Sequence, residues 1–330
     1  MQGRVHLRKA ETRFGVKTPN YLKTILKVCV GFFLLLILFM KIPGKTVFVT
    51  LLEARFSFFL LALIMYMGGQ ILSAYKWSIL AELLDFKKPF FNFVSFYFIG
   101  MFFNLFMPGS IGGDLYRAAL LAGLKKSRRR AAYSVLAERY TGGIALLSFC
   151  ALAVGIYFRL SLPNVLSALI FTLLAIGWFF FLTLPIWERI FPWIRKVARK
   201  LNLEDFTIYW KHPAKLLWVL VLSFVFQTIN ILTVALLGMS INIDVPLLSY
   251  FFIVPVVDLL SILPISISGL GIREGVYVLI FKFLGVEASK GLACGLLVLA
   301  ITIICGILGG IIYSLTNYPI VIMRKKHENN

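Results

Sequence analysis

Charge is scarce in this chain. Only 15% of its 330 residues are Asp, Glu, Lys or Arg, against about 25% in a soluble domain. Acidic residues are scarcer still, 14 against 34 Lys and Arg. Histidine occurs three times, at His6, His212 and His327, all in segments read below as cytoplasmic, so a histidine-based acyltransfer site within the membrane is excluded. The four cysteines, Cys29, Cys150, Cys294 and Cys305, stand singly in apolar runs. Without CxxC spacing they read as small packing residues, not metal ligands or disulfides. HExxH, DDxxD and Cys/His clusters are missing. Pro43-Gly44-Lys45-Thr46 ends like a phosphate loop, but Phe39 stands where its first glycine belongs. Gly269, Gly271 and Gly275 miss the dinucleotide spacing. No soluble domain is large enough to hold a nucleotide. These absences argue against an enzyme, an ATP-driven pump, a metal site and any other cofactor.

What is abundant is apolar sequence, 60% of the residues, with a mean hydropathy of +0.90. Uncharged stretches run from Phe56 to Tyr75, Pro89 to Gly113, Tyr140 to Phe158, Leu160 to Trp187, Leu216 to Ile243 and Gly291 to Met323. A hydrocarbon core about 30 Å thick takes roughly 20 helical residues. The pattern therefore predicts an all-α, polytopic membrane bundle forming a single domain over 1–330.

The net charge of +20 points to orientation, not nucleic acid. The basic residues cluster between apolar runs and lack the aromatic interleaving of a nucleic-acid groove. Counted by the positive-inside rule, they predict a protein of the cytoplasmic membrane with both termini inside. About eight spans are expected, at 21–40, 56–75, 89–107, 131–158, 163–184, 216–238, 247–263 and 291–317. The first is read as an uncleaved helix, because no small-x-small cleavage site follows Met40. Lys76, Lys87 and Lys88 fall in one expected cytoplasmic loop, and Lys125 to Arg130 in the next. The segment 185–215 is basic and amphipathic, suited to lying along the inner surface.

This count forces two extra returns through short, polar stretches at 108–124 and 264–285. The two resemble each other. Pro108-Gly109-Ser110-Ile111-Gly112-Gly113-Asp114-Leu115-Tyr116-Arg117 aligns without gaps on Pro264-Ile265-Ser266-Ile267-Ser268-Gly269-Leu270-Gly271-Ile272-Arg273. One follows an outward helix and the other an inward one, as expected of an inverted repeat whose broken or re-entrant helices meet near the midplane. The halves would span roughly 50–160 and 214–317. Chance likeness between two Pro/Gly breaks is the alternative.

A charge at the bilayer centre costs about 2.5–3.5 kcal/mol on the mildest scale. Asp114, Arg117, Glu138, Arg139, Asp258, Arg273 and Glu274 all lie in or beside apolar runs. They must pair or line a polar cavity. Arg117 and Arg273, with Ser110, Gly112, Gly113, Ser266, Ser268, Gly269 and Gly271, could form helix-terminus sites for a lipid phosphate. Asp114, Glu138, Arg139, Asp258 and Glu274 would balance that charge or couple to an ion. The competing reading is structural: the pairs merely satisfy buried helix breaks.

The paired glycine motifs, with Glu138-Arg139 opening a helix between them and Glu274 following the second, resemble the transmembrane region of the lysylphosphatidylglycerol synthases. That flippase-like family also occurs as stand-alone proteins of about this length, and the resemblance covers nearly the whole chain. In the two-part synthases the region is implied to flip aminoacylated lipid, while a cytoplasmic domain joins amino acid to lipid. The stretch after the last apolar run is too short for that domain, so the resemblance implies the flippase-like half alone. The expected partner is a membrane lipid, whether an anionic or aminoacylated phospholipid or a polyprenyl-phosphate sugar. A separate cytoplasmic lipid-modifying enzyme is a second expected partner. The rival expectation is a non-catalytic membrane subunit of a lipid aminoacyl- or glycosyltransferase system.

Overall fold

The computed structural model describes residues 21–107, 111–123, 127–158, 164–190, 207–261, 266 and 269–316. Among these the chain is all-α. Eleven helices follow one another: α1 Tyr21–Lys41, α2 Gly44–Leu52, α3 Phe56–Glu82, α4 Phe90–Phe106, α5 Ile111–Ala122, α6 Arg128–Ala153, α7 Asn164–Ile190, α8 Pro213–Ser240, α9 Leu247–Ser261, α10 Ile272–Phe283 and α11 Ala288–Leu315. Helix α6 runs on into a π-helical turn over Val154–Phe158, and a 3₁₀ turn at Ile208–Lys211 leads into α8.

By length and composition four helices can cross a membrane: α3, α6, α8 and α11. A fifth is possible if α1 and α2 are taken as one span, but they meet at 94°. With 17 and 15 residues, α4 and α9 reach only about 25 Å and 22 Å. The 12-residue α5 and α10 reach about 18 Å. The surface matches an apolar surround. Phe91, Leu115, Val165, Leu217, Leu279 and Leu315 are all exposed. Of the amphipathic segment, 185–190 continue α7 and 207–215 hold the 3₁₀ turn and the start of α8; 191–206 lie outside the described residues.

Two stretches of chain run through helices of similar lengths. From α3 to α6 the helices measure 27, 17, 12 and 26 residues, and from α8 to α11 they measure 28, 15, 12 and 28. Their caps agree too. Helix α3 closes with Phe86 N–H to the Ala81 carbonyl and Asp85 N–H to that of Glu82, while α8 closes with Ile243 to Gly238 and Asn242 to Met239. In each case an Asx residue takes the left-handed conformation, Asp85 at φ 66 and Asn242 at φ 54, which frees the chain to fold back on the helix end. Helices α5 and α10 both end at a positive-φ glycine, Gly123 and Gly285.

The long helices α3 and α8 run antiparallel. Arg55 N–H donates to the Ser240 carbonyl at one end (2.9 Å), Lys215 Nζ lies 3.5 Å from Glu82 at the other, and Gly69 meets Phe226 and Ile229 midway. Helix α5 folds back along α4, with Gly113 on Gly100 and Arg117 over the Tyr97 ring. Helix α10 folds back on α9 in the same way, with Gly269 near Ser261 and the Phe281 ring 6.1 Å from that of Tyr250. Helix α4 packs on α11, and α6 packs on α9. Both pairings exchange partners when one stretch is laid on the other.

Candidate functional site

Polar residues recur along one face of α3, at Gln70, Ser73, Lys76 and Trp77, and along one face of α6, at Ser134, Glu138 and Thr141. Spacings of three and four residues put each set on a single stripe, and the two stripes face each other. Trp77 Nε1 donates to Ser134 Oγ at 2.9 Å, and Ser73 Oγ donates to Glu138 Oε1 at 3.1 Å. Tyr97 of α4 donates to Ser73 Oγ at 3.0 Å.

Glu138 is the centre of a buried ion network. Lys76 Nζ stands 3.2 Å from its Oε1, and Arg117 Nη2 donates to its Oε2 at 2.7 Å. The Lys76 side chain is 0% exposed, Glu138 4% and Arg117 2%. Arg117 also lies between two rings, with its guanidinium carbon 5.0 Å from the Trp77 centroid and 4.7 Å from that of Tyr97. Such stacking stabilises a desolvated cation through the ring quadrupoles. Its Nε faces Asp114 Oδ1 at 3.1 Å. Nη1 is buried and has no hydrogen-bond partner among the described residues.

Asp114 carries the network outward. Arg139 clasps it with a two-pronged fork, Nε to Oδ2 and Nη2 to Oδ1, both 2.9 Å. The Arg139 side chain is 47% exposed although it sits eleven residues into a spanning helix, about 16 Å along its axis. A guanidinium is tolerated there only beside protein groups or a water-filled recess. Three cations, Lys76, Arg117 and Arg139, thus meet two carboxylates, Asp114 and Glu138.

The second motif builds a smaller arrangement. Gly271, at φ 78, donates its N–H to Glu274 Oε2 at 2.6 Å. Glu274 Oε1 takes Arg273 Nη2 at 3.2 Å and Nε at 3.3 Å. A side chain on Gly271 would strike the Gly31 carbonyl and Leu34 of α1. Asp258 accepts from Asn230 Nδ2 of α8 at 2.9 Å. Ser266 is buried, and its hydroxyl has no partner among the described residues. Gly269 is at φ 75 against Ser261.

Of the residues singled out by sequence, Asp114, Arg117, Glu138 and Arg139 therefore share one network, and Gly271, Arg273 and Glu274 share another. Gly113 donates its N–H to Asn104 Oδ1 at 2.7 Å and, like Gly112 against Met107, leaves no room for a Cβ. Ser110 and Ser268 lie outside the described residues. Arg117 and Arg273 are enclosed by their own carboxylates, and Arg139 is the accessible cation of its group. Sequence reasoning missed Lys76, Ser73 and Tyr97. The uncharged run stops at Tyr75, so Lys76 was expected in a cytoplasmic loop, whereas α3 continues to Glu82 and buries it. The Gln70–Ser73–Trp77 spacing was the available signal.

Long apolar helices, exposed apolar side chains on their outer faces and a charged network enclosed within the bundle define an integral membrane protein. Its sequence matches the lysylphosphatidylglycerol synthase TM region over residues 24–310, and the chain belongs to that family. A search of curated proteins finds no match.

Proposed function

We propose that this protein carries a lipid headgroup across the cytoplasmic membrane and performs no covalent chemistry. One observation carries the reading: Arg139 keeps a half-exposed side chain deep in a spanning helix, anchored to a buried network that holds one more cation than it has carboxylates. A phosphate is the ligand that such a surplus suits. The substrates are anionic, aminoacylated or polyprenyl-phosphate-linked lipids, whose tails stay in the bilayer while the headgroup moves along the polar face that Arg139 marks.

The repeat supports this reading. Where equivalent helices lie antiparallel and in contact, as α3 and α8 do, the two-fold axis relating them runs across the helices and so in the membrane plane. That is the inverted arrangement of many transporters. With the basic segments inside, six crossings result: the α1–α2 pair, α3, α6, α7, α8 and α11. In this reading α4 and α9 are the first arms of re-entrant hairpins that α5 and α10 complete, one entering from each side, and both termini are cytoplasmic.

Purified protein in liposomes should exchange headgroup-labelled lipid between leaflets, and Arg139→Gln should abolish the exchange while leaving the protein folded. No exchange of phosphatidylglycerol, lysyl-phosphatidylglycerol or a polyprenyl-phosphate sugar would refute the proposal. It would favour the reading that the family match also supports, a membrane subunit serving a separate lipid-modifying enzyme. Restored exchange or catalysis on adding that enzyme would then identify the partner.

A further inference from the structure

We propose that the site around Arg139 accepts a headgroup whose phosphate is uncompensated, and that it refuses a headgroup made cationic by aminoacylation. The inference rests on the lipid-carrier reading and narrows its substrate to one charge class.

Charge count is the first argument. The connected groups are Lys76, Arg117 and Arg139 against Asp114 and Glu138, a surplus of one positive charge. In the sequence flanking α5, 108–110 hold no charged residue and 124–126 hold Lys125 and Lys126.

Acceptor capacity is the second. A carboxylate is the natural partner of an ammonium headgroup, and both of these are already engaged. Glu138 receives Ser73, Lys76 and Arg117. Asp114 receives the Arg139 fork on both oxygens and faces Arg117 Nε.

The aromatic faces are the third. Tyr and Trp rings can hold an ammonium without a carboxylate, but Arg117 occupies Trp77 and Tyr97, and Lys76 lies 5.5 Å over Phe226. For an anion the position is reversed. The fork uses Nε and Nη2 of Arg139, so its Nη1 edge turns away from Asp114. In the same network, Arg117 Nη1 is buried and lacks a hydrogen-bond partner among the described residues.

One carboxylate elsewhere could still attract an ammonium. Asp258 on α9, half-buried, is hydrogen-bonded to Asn230 and forms no ion pair among the described residues. It supplies the control.

The full chain is placed in phosphatidylcholine nanodiscs and titrated with short-chain phosphatidylglycerol, lysyl-phosphatidylglycerol, phosphatidylethanolamine and a short polyprenyl phosphate, with intrinsic tryptophan fluorescence as the readout. The two anionic lipids should bind at least about tenfold more tightly than lysyl-phosphatidylglycerol, about the step expected for one charge-assisted contact. Which of the two binds better distinguishes a phospholipid from a polyprenyl carrier. Arg139→Gln should erase the preference with thermal stability retained, and Arg139→Lys should keep part of it. Lysyl-phosphatidylglycerol binding as tightly, or an anion preference that survives Arg139→Gln, would overturn the inference, as would binding of the cationic lipid that Asp258→Asn abolishes. Leaflet exchange in liposomes is measured alongside. Selective binding without exchange would sink the carrier reading and leave the headgroup assignment standing, whereas exchange without charge preference would do the opposite.

Discussion

Replacing Glu138 by Gln is the sharpest test of the buried network. The substitution keeps shape and volume but leaves Lys76 and Arg117, 0% and 2% exposed, without their shared counter-ion. The new amide can offer its oxygen to one cation only, and its NH₂ group must then face the other. Removing one partner of a buried ion pair costs about 3–5 kcal/mol. Two stranded cations place this variant near the upper end. At about 2 °C per kcal/mol for a chain of this size, the melting temperature should fall by about 8–10 °C. The assay is thermal denaturation of detergent-solubilised protein at a fixed heating rate, followed by the loss of the monodisperse elution peak. Lys76→Met in the Glu138→Gln background restores the original charge balance and should recover about half of the loss, a coupling of about 2 kcal/mol. A Glu138→Gln protein melting within 2 °C of wild type, or a double variant no better than the single, would refute the network as described.

Arg117→Lys should cost about 2–3 kcal/mol in the same assay, because one ammonium cannot span Asp114 and Glu138 while lying between two rings. Glu274→Gln should destabilise by about 3 kcal/mol, since it leaves Arg273 buried without its carboxylate and removes the charged acceptor of the Gly271 N–H. Gly309→Val should lower both yield and melting temperature, by about 1–3 kcal/mol. Any Cβ there strikes the Phe98 carbonyl of α4, whereas a similar change at Gly143, which faces open space, should be tolerated.

Much of this was legible in the sequence, and for identifiable reasons. Apolar run length reports membrane helices directly, since every spanning backbone must satisfy its own hydrogen bonds. The Pro/Gly motifs marked where α5 and α10 begin, because breaks of that kind require those residues. Run length served poorly at the ends. It trimmed α3 at Tyr75 because a lysine stops a hydropathy window whether it points to water or to Glu138, and so Lys76 was given to a loop. It also counted α4 and α9 among the expected spans while leaving open whether 108–124 and 264–285 cross or re-enter, because neither the break nor the fold-back of α5 along α4 changes apolarity. The division of labour among the arginines was not legible either. Sequence reading put the phosphate on Arg117 and charge balance on Arg139, and only packing reveals that two rings and two carboxylates enclose the first while a single fork holds the second.

The contact between α4 and α11 also governs how the chain must be made. Phe98 in α4 presses its carbonyl against Gly309, and Leu105 and Phe102 sit on Gly306 and Gly310. About two thirds of the chain separates the two sides of that seam. During synthesis, α4 leaves the ribosome long before its glycine-lined partner exists. The first half can neither complete its own packing nor be released as a finished unit until the last helix arrives. Insertion machinery or surrounding lipid must shelter the uncovered face of α4 in the meantime. Truncation before α11 should therefore leave the whole chain exposed to quality control, not yield a shorter protein that still folds.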